Sequence, residues 1–176
     1  MAKLSKKGFT LIELLIVISI ITIISLIAVT NYNVARRQSK IAKAQNDISS
    51  IALAIGILGI DTLVWPNHQL VEEVNSGNAN EICADGCTYS LSDSEVGIAA
   101  TDGTYDNWSG PYMVIVNADP WGNAYFFDTD YRVTQANLPC NGGMTCVDAV
   151  VVGSYGPDGV GNNQYNADDV IKIIKK

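Results

Sequence analysis

A run of apolar residues from Phe9 to Val29, broken by one ionisable side chain, Glu13, constrains this chain more than any other feature. About twenty-one such residues in a helix are long enough to cross a hydrocarbon core. A carboxylate at that depth costs roughly 2–3 kcal/mol or more, and so needs a partner. Lys6 and Lys7 stand just before the run, with Gly8 at the junction. Cleavage after Gly8 would create a positive partner, the free α-amine of Phe9. A secretory signal peptide has a shorter apolar core, about 7–15 residues, with its small-residue cleavage site behind it. Here the run is longer and the processing site precedes it. A simple anchor would have no use for Glu13.

The helical pattern continues beyond the run. Val34, Ile41, Ile48 and Ile55 recur every seven residues, with Ala44, Ile51 and Leu58 on a companion seam, while Gln38, Lys43, Gln45, Asn46 and Asp47 occupy other faces. No proline interrupts the chain between Phe9 and Asp61. One helix of about fifty residues, near 75 Å, is therefore expected. Gly56 and Gly59 weaken its end, and Asp61, Trp65 and Pro66 mark where it has stopped. The C-terminal half of the seam should bury against the following domain. The N-terminal half has no partner within one subunit and needs membrane or copies of itself.

The chain has 176 residues, room for one modest domain beyond this helix. Its net charge is −7, and removal of Met1 to Gly8 would leave eight basic against eighteen acidic side chains. Four of the remaining bases, Arg36, Arg37, Lys40 and Lys43, form a collar just after the apolar run. The rest is acidic and has little positive charge to hold phosphates, so direct nucleic-acid binding is not expected.

Four cysteines fall in two close pairs, Cys83 with Cys87 and Cys140 with Cys146, each enclosing glycine. An even count in an exported domain favours disulfides. Local pairing is preferred over crossed pairing, and zinc ranks third because the spacings are not those of a Cys-x2-Cys ribbon.

From Leu63 to about Thr104 the residues read as loops and turns, with a short helix over Leu70 to Val74. His68, the only histidine, reads as a surface residue. Strands are expected over Tyr112–Asn117, Ala124–Asp128 and Val147–Val152, with Asp119 to Asn123 turning between the first two. Asp128 and Asp130 read as a solvated strand end, and Trp121 and Tyr125 as residues that pack the sheet. The fold class is α+β: a long N-terminal helix with a small antiparallel sheet packed on its second half.

Gly8-Phe9-Thr10-Leu11-Ile12-Glu13-Leu14-Leu15 resembles the prepilin peptidase motif of the type IV pilin and pseudopilin superfamily. The resemblance implies leader cleavage after Gly8 and methylation of Phe9. It also implies that Glu13 sets register against a neighbouring subunit's N-terminus. Family pilins often carry a proline near the position of Thr30, where the helix can loosen on assembly; this chain has Thr30-Asn31.

Two further stretches resemble the major pseudopilins of type II secretion systems. Asp119-Pro120-Trp121-Gly122-Asn123-Ala124-Tyr125 is similar to one of their elements. Gly153 to Gly159, followed by Asn166 to Val170, is similar to their C-terminal calcium loop. By that resemblance Asp158, Asp168 and Asp169 are ligands, with backbone carbonyls near Tyr155 and Asn166 completing the shell. Calcium takes six to eight oxygens in irregular geometry, which such a loop supplies.

The resemblance divides the chain into a basic leader over 1–8, a transmembrane and filament-core helix over 9–30, its amphipathic continuation over 31–60, and a periplasmic or extracellular head over 61–176. It implies a structural filament subunit in the inner membrane, its C-terminal domain periplasmic. Expected partners are copies of itself in a helical filament, prepilin peptidase, an inner-membrane assembly platform, minor pseudopilins or pilins, and lipid before assembly. The job implied is that of the major pseudopilin of a type II secretion system. The alternative is a surface type IV pilus subunit for motility, adhesion or DNA uptake. No Gly-x-Ser-x-Gly elbow, His-Glu-x-x-His pair or phosphate loop occurs, so no enzyme is expected.

Overall fold

The computed structural model describes residues 8–71, 82, 89–137, 140, 143–161 and 167–176, with the backbone alone over 27–31. The chain divides into two units, Met1–Ser39 and Lys40–Lys176, which are taken separately. One helix, α1 (Leu11–Thr62), supplies most of the first and opens the second.

In the first unit every described side chain from Leu11 to Leu26 is exposed. Even Val17, the least exposed of the large apolar ones, keeps 46 % of its surface open. Two hydroxyls inside this stretch are satisfied locally. The Ser19 hydroxyl donates to the Leu15 carbonyl at 2.7 Å and the Thr22 hydroxyl to the Ser19 carbonyl at 2.8 Å. Such back-bonding turns these two donors onto the helix backbone, which suits an apolar surrounding. Among the described residues no helix is long and apolar enough to cross a membrane, the side chains of the run being described only as far as Leu26.

The second unit begins where the seam goes under cover. Ala44, Ile48, Ile51, Ile55 and Leu58 are each at most 1 % exposed, whereas Val34 is 58 % exposed. The seam residues from Ile48 onward share one core with Val96, Ile98, Phe126, Phe127 and Val150 to Val152. Helix α1 runs to Thr62, slightly past its expected end. Its stop is made by Leu63, which turns into the left-handed region at φ 61°, its N–H still reaching the Gly59 carbonyl at 3.1 Å. Gly59 is needed there: a Cβ would come within 2.9 Å of the Trp65 ring, which folds back onto it.

After the helix, β1 (Val64–Trp65) and β2 (Gln69–Leu70) pair antiparallel around a 3-10 turn at Pro66–His68. Leu70 therefore belongs to a strand rather than the short helix expected over Leu70 to Val74, of which 72–74 lie outside the described residues. The main sheet is β3 (Phe126–Thr134), β4 (Cys146–Ser154) and β5 (Val170–Lys175), antiparallel in that order. The α+β reading stands on these elements.

The expected strand Val147–Val152 sits within β4, and Ala124–Asp128 overlaps β3 only from Phe126, but Tyr112–Asn117 is not a strand. Its ladder partners are replaced by loop groups: the Tyr112 and Met113 N–H groups donate to the Ile98 carbonyl at 2.9 and 3.1 Å, and that of Val116 to the Ser92 hydroxyl at 2.9 Å. Val114 is left 90 % exposed. The turn at Asp119 to Asn123 thus leads from a loop into β3 instead of closing a hairpin. Asp128 and Asp130 are not a solvated end either. They are 0 % and 7 % exposed, inside β3, where the register to β4 slips between Asp128 and Tyr131. The Asp128 carboxylate accepts the Asp130 N–H at 2.8 Å, satisfying an amide at the bulge.

Candidate functional site

The start of α1 gathers the residues singled out for processing and assembly. Gly8 and Phe9 precede the helix; nothing lies within 4 Å of a Cβ placed on Gly8, and Phe9 is 86 % exposed. Thr10 and Glu13 form a reciprocal cap. The Glu13 carboxylate accepts the Thr10 N–H and the Thr10 hydroxyl, each at 2.8 Å, while the Glu13 N–H donates to the Thr10 hydroxyl oxygen at 3.3 Å. This is a capping box, and Thr10-x-x-Glu13 ahead of an apolar run is its sequence signal. Thr10, to which the resemblance assigns no role, is thus the partner of Glu13 within the chain. The cap satisfies two helix-end donors and gives the carboxylate two hydrogen bonds within its own chain.

The acidic tail is organised around an aromatic stack. Phe126 lies between Tyr155, with centroids 4.3 Å apart, and Tyr131, 5.3 Å away. The buried Tyr131 hydroxyl donates to the Asp169 carboxylate, itself 5 % exposed. Burial, then the hydrogen bond and charge of Asp169, push Tyr131 far above the usual tyrosine range. Asp158 is exposed and its Oδ1 accepts the Val160 N–H at 2.9 Å. Asp168 is half-buried, and a Cβ on Gly156 would strike its backbone carbonyl. The Gly156 to Gly159 turn and the Asp168–Asp169 pair therefore meet at their backbones. Asn166 lies outside the described residues.

Carboxylates and carbonyls are the hard oxygen donors that calcium takes, and Gly156 provides a close backbone approach that any side chain would fill. Among the described residues no group of three or more His, Cys, Asp or Glu side chains converges to hold a metal. A cation here would have to take much of its shell from backbone carbonyls.

Cys140 and Cys146 are joined, with Cα atoms 5.9 Å apart, closing the connection from β3 to β4. Cys83 and Cys87 lie outside the described residues. His68 is more engaged than a plain surface residue: its Nε2 lies 3.1 Å from the Asp102 carboxylate and 3.0 Å from the Thr104 hydroxyl, and its ring stacks on Tyr105 at 3.9 Å. Partial desolvation raises Asp102, but the Thr104 N–H and hydroxyl and then His68 draw it below the usual carboxylate value. Burial pushes Tyr105 up to about 12. Tyr125 packs as expected, at 2 % exposure, and reaches α1, donating to Asp47 at 2.9 Å while Lys43 donates to the same oxygen at 2.6 Å. Asp102 and Thr104 meet the same ring nitrogen of His68, so the imidazole does not link a carboxylate on one side to a hydroxyl on the other; the contacts in these clusters are those of capping and packing.

Comparison with known proteins agrees with the start of α1. A family model described as the prokaryotic N-terminal methylation motif matches residues 3–29. The chain is 27 % identical over 131 residues to type II secretion system core protein G of Pseudomonas aeruginosa, covering 71 % of this chain and 75 % of that one. Among solved structures it is similar to the major pseudopilin from the type 2 secretion system of enterohaemorrhagic Escherichia coli. That match has 18 % identity and a TM-score of 0.40, and covers 81 % of this chain and 90 % of the other.

Proposed function

We propose that this chain, a member of the type IV pilin and pseudopilin superfamily, is the major pseudopilin of a type II secretion system. It is a structural subunit and not an enzyme. The observation that carries this reading is the helix start: Gly8 and Phe9 open to a peptidase, Glu13 three residues into a 52-residue helix, and an exposed apolar face beyond. Similarity to core protein G, which covers 71 % of this chain, supports secretion over a surface pilus.

In this reading the precursor sits in the inner membrane with Lys3, Lys6 and Lys7 cytoplasmic, in line with the positive-inside rule, and the head in the periplasm. Prepilin peptidase cuts after Gly8, and Phe9 is methylated. Subunits leave the bilayer as their apolar helix halves bundle into a filament, aided by an assembly platform and minor pseudopilins. Glu13 then exchanges its own Thr10 contacts for the Phe9 amine of a neighbour, and a charge costly in lipid becomes a registry contact. Glu13→Ala should insert normally and lose filament more than about tenfold, a factor equal to one registry contact of about 1.4 kcal/mol. Wild-type filament yield from that variant would refute the registry role.

The head binds calcium through Asp158, Asp168, Asp169 and the carbonyls near Tyr155 and Asn166. Calcium would supply charge neutralisation between the two acidic segments and hold the loop closed. At one hundred times Kd it would stabilise the head by about 2.7 kcal/mol. An unchanged melting temperature of the detergent-solubilised chain, with calcium chloride or with EGTA, would remove this part of the reading.

A deletion strain tests the function as a whole. Loss of specific exported proteins with surface pili intact is the expected result. Loss of pili and twitching with secretion unchanged would assign the chain to a type IV pilus instead.

A further inference from the structure

We propose that the Asp119 to Asn123 turn is the second half of the calcium site. Asp119 and Asn123 act as positioning residues that set the loop's affinity without touching the ion. This deepens the calcium reading and rests on it.

The two stretches are far apart in sequence and continuous in space. Asp119 is buried, at 5 % exposure, and both its oxygens are in use. Its Oδ1 accepts the N–H groups of Trp121, Gly122 and Asn123 at 2.9, 2.8 and 2.8 Å. Its Oδ2 accepts the hydroxyl of Ser154, which is fully buried at the end of β4. Three backbone N–H groups saturate Oδ1, and Oδ2 is turned onto the buried Ser154 hydroxyl, so the carboxylate is committed to its own turn and to the end of β4. It is a support and not a ligand.

From Ser154 the connection runs into the loop. The Gly156 N–H donates to the Ser154 hydroxyl oxygen at 3.0 Å, and the Gly156 carbonyl accepts the Asn123 side-chain amide at 2.8 Å. The far end of the same turn rests on the same side chain, since a Cβ on Gly159 would lie 2.8 Å from Asn123 Oδ1. Gly156 and Gly159 both adopt positive φ, 66° and 65°, so the turn holds a shape few other residues could take. Asn123 thus spans both ends of the turn that carries Asp158, and Gly156 fixes that turn against the Asp168 backbone. A cation whose oxygens must all lie at about 2.3–2.6 Å is sensitive to such placement. Supports of this kind typically change metal affinity about 10–100-fold when removed.

The test is a calcium chloride titration of the full chain in detergent, by calorimetry, with melting curves in calcium and in EGTA. Asn123→Ala removes one side-chain hydrogen bond and leaves the Asp119 turn whole. Its calcium Kd should rise about tenfold or more, with melting in EGTA close to wild type. Ser154→Ala should move Kd in the same direction. Wild-type affinity in Asn123→Ala would overturn the positioning role and leave the calcium reading standing. An equal drop in melting in calcium and in EGTA would also overturn it, by marking a contact that is structural only. A wild-type chain with no response to calcium would overturn both.

Discussion

Two stretches of the same helix, Leu11–Leu26 and Ala44–Leu58, are built from similar aliphatic residues and meet opposite surroundings. In the second, Ile48, Ile51, Ile55 and Leu58 vanish into the head's core. In the first, Ile16, Ile18, Ile20 and Ile21 all remain more than half exposed. The difference lies in pattern. The later stretch is amphipathic and needs one covered face, whereas the earlier one is apolar all round and needs cover on every side. A single head can provide the former; only lipid or a ring of neighbouring helices can provide the latter. Folding of the chain is thus complete in one half and deferred in the other.

The largest effect should come from exchanging the same residue type between the halves. Ile55→Ala should cost the head about 2–5 kcal/mol in thermal or denaturant melting, while Ile18→Ala should leave that melting unchanged and reduce filament yield. Equal losses of stability from the two would break the comparison. A smaller effect separates the halves by pH. Tyr125 and Tyr131 are both held protonated, through burial first and then through Asp47 and Asp169 respectively. Their raised values contribute stability that is whole below the ordinary tyrosine value of 10.0 and is lost as pH rises beyond it. Each withheld proton then costs about 1.4 kcal/mol per pH unit. Melting at pH 9 to 11 should show this loss, and Tyr131→Phe should make it shallower while Tyr125 still contributes; a flat wild-type profile would exclude such coupling. The smallest effect belongs to the start of the exposed half. Thr10→Val should destabilise the first turn by about 1 kcal/mol, seen as faster amide exchange at residues 11–13 with head melting unchanged.

Much of this was legible because its causes are local. The seven-residue recurrence from Ile41 to Leu58 gave the buried seam, and an unbroken apolar run without proline gave the helix. The Cys140–Cys146 bridge followed from short spacing around glycine. What escaped depended on distant partners. Val114 to Val116 has the composition of a strand, yet Ser92 and Ile98 take up the neighbouring backbone groups and no ladder forms. Val170–Lys175, with lysines among its isoleucines, pairs as β5 with β4. Asp128 and Asp130 are buried by a register slip that depends on β4, and His68 meets Asp102 only once the chain has doubled back. The Asp119 turn is legible as a turn, but its bonds to Ser154 and to the 156–159 loop lie beyond any local pattern. Thr10 is the exception, since its capping signal is local and lies three residues from Glu13.

The Phe126 stack has a consequence for how this head can be observed. Its rings, those of Tyr155, Phe126 and Tyr131, lie nearly parallel and within a few ångströms, and two of them guard the ends of the acidic loop. Aromatic rings held in a fixed asymmetric arrangement give near-ultraviolet circular dichroism, and that signal disappears when packing loosens even if secondary structure survives. The protein therefore carries an intrinsic optical gauge of its packing, readable without a label, to which the rings at the base of its loop contribute.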